Sequence, residues 1–438
     1  MIDSILIKNV EIVTGAEIRT GDVFIENGKI KAIEPFLQRP AALIIQESGL
    51  TLMPGVIDTH VHFRDPGLTA KEDLESGSRA AASGGVTSFF DMPNTIPAAT
   101  TRQAIADKKA LAAQKSLINY NFFIGATPEN LDELLKTENV PGIKVFMGSS
   151  TGSLLVNKAE DLDRLFAHTN KLIAVHAEDE DLIAAQKKKY EGTTDPSDHQ
   201  RIRNPEAAIK ATRQAVALAE KYRKRLHICH LTTEEETLYL ADHKQEGLIT
   251  CEATPQHLLL SSPGVYDAWG TLAKINPPIR SSRHRDALWR ALQLGIIDFI
   301  ATDHAPHTLE EKLQPYSKAH SGMPIVELSL PLMLTQYTQQ RCRLTDIVRW
   351  MCEKPADIFG IRGKGHLEVG YDADLVLVDL KAKKKIINND LHTRAKWSVF
   401  ADSTLQGWPV MSFVNGQMVF REGDFFDEIK GKELEITK

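Results

Sequence analysis

The stretch Asp58-Thr59-His60-Val61-His62-Phe63-Arg64-Asp65-Pro66-Gly67, DTHVHFRDPG, closes an apolar run and decides how the rest of the chain is read. In a strand, side chains at i and i+2 point to the same face. His60 and His62 therefore converge, and two convergent imidazoles suit a divalent metal. The pair would serve equally as hydrogen-bonded strand histidines, so the remaining sequence has to choose.

Outward from this stretch, apolar β-rich segments alternate with helical ones. Strands are expected at 55–60, 86–90, 120–125, 142–147, 172–176, 226–230, 247–251 and 297–302. Helices are expected at 71–83, 101–114, 128–137, 159–169, 204–222, 232–244, 283–294 and 325–340. Eight strands, each followed by a helix, is the number that closes a parallel barrel. An open doubly wound sheet would want a glycine-rich dinucleotide fingerprint after its first strand, and none is present. Both ends of the chain instead carry short alternating runs with Gly and Asn turns, including an Asn415-Gly416 hairpin signal. The expected fold class is thus α/β: a (β/α)8 TIM-like barrel over 54–362, with a small discontinuous β-sandwich domain built from 1–53 and 363–438.

Composition narrows the function classes. The 438 residues are 42 % hydrophobic and 25 % charged, with a formal net charge of -6 and both signs interspersed. That is ordinary globular composition without the basic stripe of a nucleic-acid binder. No apolar run reaches membrane-spanning length, and the opening MIDSILIKNVEIVTG reads as a strand rather than a signal peptide. Cys229, Cys251, Cys342 and Cys352 form no CxxC pair or disulfide framework, so a reducing cytoplasm is expected.

A barrel keeps its chemistry at the C-terminal ends of its strands. Strand one ends in His60 and His62, strand two in Asp91-Met92-Pro93-Asn94-Thr95, strand five in His176, strand six in His230 and strand eight in Asp303. Strand four holds Lys144 within an apolar run. Any one terminal histidine is commonly just a hydrogen-bonded side chain. Four histidines and an aspartate on one rim point jointly to metal. Beside divalent cations an ammonium is disfavoured, because burial and positive neighbours both lower a lysine pKa. A neutral amine can take up carbon dioxide and become an anionic carbamate that bridges two metals. The plain alternative for Lys144 is a side chain that snorkels outward or pairs with Asp303.

The residues now carry a resemblance. PGVIDTHVHFRDPGLTAKEDLESGSRAAASGGVTSFFDMPNT, GIKVFMGSSTG, VHAED, CHLTT, KINPPIR, ATDHAPH and GHLEVGYDADLVLVDL together resemble the amidohydrolase superfamily, and within it the dihydroorotase family, over essentially the whole chain. The resemblance implies two zinc ions per chain. His60, His62 and Asp303 would hold the inner one, His176 and His230 the outer one, and carboxylated Lys144 would bridge them. It implies reversible hydrolysis of (S)-dihydroorotate to N-carbamoyl-L-aspartate in pyrimidine biosynthesis, through a metal-activated hydroxide with Asp303 as proton shuttle. Arg64 would pair its planar guanidinium with the substrate carboxylate, aided by Asn94 and His307. Asn276 and loop backbone near Gly322 would contact the ring. One departure lies in CEATPQHL, where relatives often carry a second histidine before His257.

Each assignment has a plainer rival. Arg64 could salt-bridge Asp65 or Asp91, Asn94 could be a turn residue after Pro93, and Asn276 could merely precede Pro277-Pro278. His304 should point away from Asp303. His257 is intermediate, while His168, His199, His227, His243, His284, His320, His366 and His392 are expected on helices, loops or exposed strand positions. An allantoinase or hydantoinase would share the metal site. A non-catalytic scaffold relative would have lost ligands that this chain keeps. The long polar loop 305–323 has the length of a lid. The expected partner is a small-molecule substrate, with no nucleic acid and no membrane; a homodimer is possible.

Overall fold

A computed structural model describes residues 2–47, 49–149 and 154–437. Ser150, Thr151 and Gly152, which end the expected GIKVFMGSSTG motif, lie outside the described residues. Eight parallel strands run through the middle of the chain: β1 (Val56–Val61), β2 (Val86–Asp91), β3 (Asn119–Phe122, resumed at Ile124–Gly125), β4 (Ile143–Phe146), β5 (Ile173–His176), β6 (Leu226–Ile228), β7 (Ile249–Ala253) and β8 (Phe299–Ile300). Each pairs with the next in chain order, with a break in the ladder inside β3, at Phe123. The ring closes where His62 N–H donates to His304 O at 2.8 Å. A parallel bridge between Val61 and His304 continues the closure.

The helices that follow these strands are α1 (Leu74–Ser83), α2 (Arg102–Lys115), α3 (Leu131–Lys136), α4 (Ala159–His168), α5 (Pro205–Tyr222), α6 (Glu234–His243), α7 (Ser282–Gln293) and α8 (Ser329–Thr338). Their starts are written in the sequence. Asp73 with Ser76, and Thr233 with Glu236, form capping boxes for α1 and α6. Asn204 caps α5 ahead of Pro205. Such caps satisfy backbone donors that a helix start leaves orphaned. Two helical insertions were not legible: Glu180–Lys189 and His199–Ile202 between β5 and α5, and Pro255–Leu259 and Gly264–Trp269 between β7 and α7. They are short and largely polar or interrupted, so no apolar period announces them.

Strand alternation divides the apolar residues between two layers. Val56, Val86, Val145, Val175 and Ile228 face the helices in one large cluster. Ile57, Phe90, Phe123, Ala174, Cys229 and Phe299 fill the barrel interior, plugged from the N-terminal end by Phe359.

The chain's two ends meet in one nine-stranded sheet among the described residues. Thr51–Pro54 from the front pairs antiparallel with Leu375–Val378 from the back. Ile5, Ile7, Val23, Leu52, Leu375, Leu377 and Phe413 share one apolar cluster, so both ends are needed to bury it. The segment between the sheet's later strands crosses to the rim of the barrel. There Thr393 Oγ1 bonds Glu72, and Trp397 Nε1–H donates to His307 O at 2.8 Å. No helix among the described residues is long and apolar enough to cross a membrane.

Candidate metal centre

β1 delivers His60 and His62 to the rim, both buried. His60 Nδ1–H donates to Glu252 Oε1 at 2.5 Å, leaving Nε2 3.3 Å from Asp303 Oδ1. His62 Nδ1–H donates to Asn94 Oδ1 at 2.6 Å, and its Nε2 lies 3.0 Å from the same Asp303 oxygen. At the end of β5 the roles of the nitrogens reverse. His176 Nε2 faces Glu178 Oε2 at 2.8 Å, and Nδ1 lies 3.0 Å from His230 Nε2. An ionised carboxylate only accepts, so it fixes which ring nitrogen keeps the proton. With Glu252 and Glu178 behind them, His60 turns Nε2 and His176 turns Nδ1 to the centre, where Nε2 of His62 and His230 also lie.

The electrostatics favour a cation among these atoms. Burial holds His62 down to about 4. Burial, then His176 and His60, hold His230 well below its ordinary value. Burial and Lys144 also push His60 down, but the Glu252 and Asp303 carboxylates outweigh them and lift it to about 10. Burial opposes ionisation of Asp303, yet His60 and His62 bring it to about 2. His62 and His230 are thus held neutral beside buried carboxylates, as a divalent ion requires of its ligands, while His60 would exchange its extra proton for the ion. The facing nitrogens of His176 and His230 likewise need a proton or a metal between them. His60, His230 and Asp303 bring donor atoms within 4.8 Å of one another, and His60, Cys229 and Glu252 do the same. The donor set fits a metal.

Lys144 sits on β4 and is 1 % exposed. It does not snorkel, and among the described residues no carboxylate lies within ion-pair distance. Its Nζ donates to Cys229 Sγ at 2.9 Å. An unpaired buried ammonium is costly, which is the condition under which an amine gains most by becoming a carbamate.

Arg64, 2 % exposed, turns the chain over the rim in the left-handed region, at φ 63°. His230 at φ 36° and Asp303 at φ 50° share that conformation, which bulky residues hold only where surrounding structure enforces it. Gly67, at φ +89°, completes the turn; a Cβ there would meet Ile96 O at 2.1 Å. Neither neighbouring acid holds Arg64: Asp65 is taken by Lys115 at 2.8 Å and Asp91 by Lys108 at 2.6 Å. The guanidinium instead donates from Nε to Pro306 O at 3.1 Å and lies 3.3 Å from His307 Nε2. Lys71 Nζ can only donate, so at 3.1 Å it makes His307 Nδ1 an acceptor. His307 Nε2 also lies 3.2 Å from Ser321 O.

The loop 305–323 is packed down rather than open. Thr308 and Glu311 cap a short helix, Leu309–Lys312. The fully buried Lys312 donates to Lys274 O at 2.7 Å and His320 O at 2.9 Å. Gly322 N–H donates to Lys274 O at 3.0 Å. A cleft of about 470 Å3 opens beside it, lined by His199, Arg203, Lys274, Asn276 and Ser321 among others. Asn276 Oδ1 accepts from His199 Nε2 at 2.9 Å.

Several histidines expected to be peripheral are not. His199 is buried beside the cleft. His227 is buried inside the barrel with Nε2 3.1 Å from Glu252 Oε2, and His284 is buried against Glu234 N–H. His227 follows from strand alternation: it shares the inward face with Cys229. His304 does turn away, accepting at Nδ1 from Ile325 N–H at 2.9 Å. His257, intermediate in sequence, is buried with Nε2 3.0 Å from Pro277 O. Glu178, Glu252, Arg203 and Lys71 were missed. Glu252 ends β7 and Glu178 lies two residues past His176, so position could have flagged both. Arg203 and Lys71 sit in loops and carry no such signal.

Residues 51–419 match the amidohydrolase family, and the chain belongs to that family. Curated relatives named dihydroorotase match over most of the chain, two of them as follows. The one from Methanosphaera stadtmanae is 34 % identical over 416 residues, 92 % of this chain and 94 % of its own length. That from Halobacterium salinarum is 36 % identical over 422 residues, covering 96 % and 97 %. Among solved structures, the L-hydantoinase (dihydropyrimidinase) from Arthrobacter aurescens superimposes with a TM-score of 0.95 at 31 % identity, over 99 % of this chain and all of that one.

Proposed function

We propose that the chain is a dihydroorotase, hydrolysing (S)-dihydroorotate reversibly to N-carbamoyl-L-aspartate in de novo pyrimidine biosynthesis. The dihydroorotase relatives support this across nearly the whole length. The observation that carries it is Arg64: a buried guanidinium beside the rim, with neither adjacent acid paired to it. Dihydroorotate has a carboxylate to offer there, whereas hydantoin and dihydrouracil have none. The hydantoinase likeness supports a second reading. Backbone superposition, however, reports the scaffold that both activities share, and fold alone does not fix function.

In this reading His60, His62 and Asp303 would hold one zinc ion and His176 and His230 a second, with Lys144, as a carbamate, a ligand to both. The bound metal supplies Lewis acidity and acidified water near neutral pH. The chain does the rest. Arg64 fixes the carboxylate while Asn94 steadies His62. In hydrolysis Asp303 would take the proton of the attacking water and return it to the departing ring nitrogen as the amide C–N bond breaks; in ring closure the transfer reverses. The loop 305–323, held by Lys312, limits water at the mouth. The barrel of 54–362 carries the chemistry, and the small domain of 1–53 with 363–438 buttresses it. A cytoplasmic homodimer completes the proposal.

The test is a substrate panel on purified protein with its metal counted: dihydroorotate, allantoin, hydantoin and dihydrouracil. Preference for dihydroorotate with two metals per chain is expected. Preference for hydantoin or dihydrouracil overturns the assignment in favour of the second reading. A chain without metal or turnover points to a scaffold.

A further inference from the structure

Glu252 lies deep in the barrel, 1 % exposed, on β7. Its carboxylate takes three bonds from two other strands. His60 Nδ1–H donates from β1 at 2.5 Å, and His227 Nε2 approaches from β6 at 3.1 Å. The backbone N–H of His230, just past β6, donates at 3.2 Å. His227 is held in turn, its ring stacked on Phe299 with centroids 5.0 Å apart. His230 needs such a bond, because its φ of 36° is a conformation a histidine does not keep unaided. Glu178 makes an instructive contrast. It touches His176 alone among the centre's histidines, and Arg203 neutralises it. Among the described residues no lysine or arginine pairs with Glu252.

We propose that Glu252 is a positioning residue for the whole centre: one carboxylate aims a ligand in each half, the His60 ring on one side and the His230 backbone on the other. This rests on the two-metal reading above. Carboxylates behind metal histidines fix tautomer and ring orientation, and losing one typically costs about 10- to 100-fold in metal affinity. Glu252→Gln should therefore weaken both ions, since His60 Nδ1–H and His230 N–H share Oε1 and a neutral amide oxygen is a much weaker acceptor than the carboxylate. Glu178→Gln should weaken only one.

The experiment is stepwise removal of zinc by a chromophoric chelator, with metal counted per chain. It is run on the wild type, Glu252→Gln, Glu178→Gln and His227→Asn, and each metal-free form is also melted. The expected result for Glu252→Gln is loss of affinity in both steps, about 10-fold or more, with metal-free melting near wild type. Glu178→Gln should lose affinity in one step, and His227→Asn should show a smaller two-step loss. Unchanged chelation in Glu252→Gln, or loss in a single step, overturns the proposal. So does an affinity loss matched by an equal collapse of metal-free melting, which would make the role merely structural. Should Glu252→Gln not fold, His227→Asn carries the test alone, and an unchanged two-step profile in it overturns the proposal. A wild type that binds no zinc refutes the two-metal reading instead, and is distinguishable because it needs no variant.

Discussion

The two ends of the barrel share one apolar wall and differ in everything polar. At the N-terminal end a hollow of about 880 Å3 lies between α6 and α7, larger than the cleft at the mouth. Its lining includes the aliphatic Leu226, Leu240, Ile249 and Leu294, and its half-buried lysine, Lys244, is spent. Lys244 Nζ donates to Gly295 O, Ile296 O and Asp298 Oδ1, between 2.7 and 3.1 Å. At the C-terminal end, buried polar groups are left wanting. Glu178 Oε1 and Arg280 Nη2 have no hydrogen-bond partner among the described residues, and Lys144 has only a thiol. Buried polar groups are ordinarily satisfied, so the gathering of Glu178, Arg280 and Lys144 near the histidines, and not the size of a hollow, marks the working end.

Substitutions can break or sharpen this contrast. The largest effect is expected from Lys144→Ala. Metal stabilisation of a transition state is worth several kcal/mol, so its loss should lower turnover by about three decades or more, with metal content falling alongside. Short carboxylic acids added to the variant should restore part of both. A variant that retains tight metal and near-normal turnover removes Lys144 from the centre.

Arg64→Met comes next. Breaking one partner of a buried charged pair costs about 2–5 kcal/mol, or roughly 30- to 4000-fold in kcat/KM for dihydroorotate. Dihydrouracil should lose far less, and the metal count should hold. An unchanged ratio between the two substrates would detach Arg64 from the carboxylate.

Lys274 tests the mouth. Burial, then Arg203 and Lys187, lower its pKa to about 8. It is thus cationic below that pH, attracting an anionic substrate, and loses the charge as pH rises through it. A half-exposed charge is worth at most about 1 kcal/mol. The ratio of kcat/KM between wild type and Lys274→Met should therefore be no more than about five-fold at pH 7. It should shrink toward one above pH 8 and in high salt. A ratio flat across pH and salt would show that Lys274 acts by packing instead.

The smallest effect is expected at the opposite end. Leu294 is 75 % exposed, and Leu294→Ser should leave turnover within about two-fold, as surface changes usually do. A large loss would mean that the N-terminal hollow communicates with the rim, and the contrast between the ends would fail.

Much of this organisation was legible because its signals are local. A strand announces itself by an apolar run, and the barrel rule then turns strand ends into a short roster of candidates. That logic found His60, His62, His176, His230 and Asp303, which the structure brings to one place. It failed where pairing is made across the barrel. Nothing adjacent in sequence joins Glu252 to His60, or Lys71 to His307. Inward and outward faces were the other loss: His227 was placed outside because the short β6 gave too few alternating residues to set its phase. In the loop 305–323 a related detail was hidden: composition does not show that Lys312 is spent on carbonyl groups inside.

The contact between Trp397 and His307 bears on how the protein is made. A ribosome releases β8 at residue 300 and the loop behind it soon after, yet the clamp on that loop arrives only with residues 393–397. Until then Glu72 lacks Thr393, and the carbonyl of His307 lacks its indole donor. The barrel wall can thus be finished while its rim is still unbolted. A nascent chain gains its complete mouth only once residues 393–397 have been made, and any metal delivered earlier meets a centre whose cover has yet to be fastened.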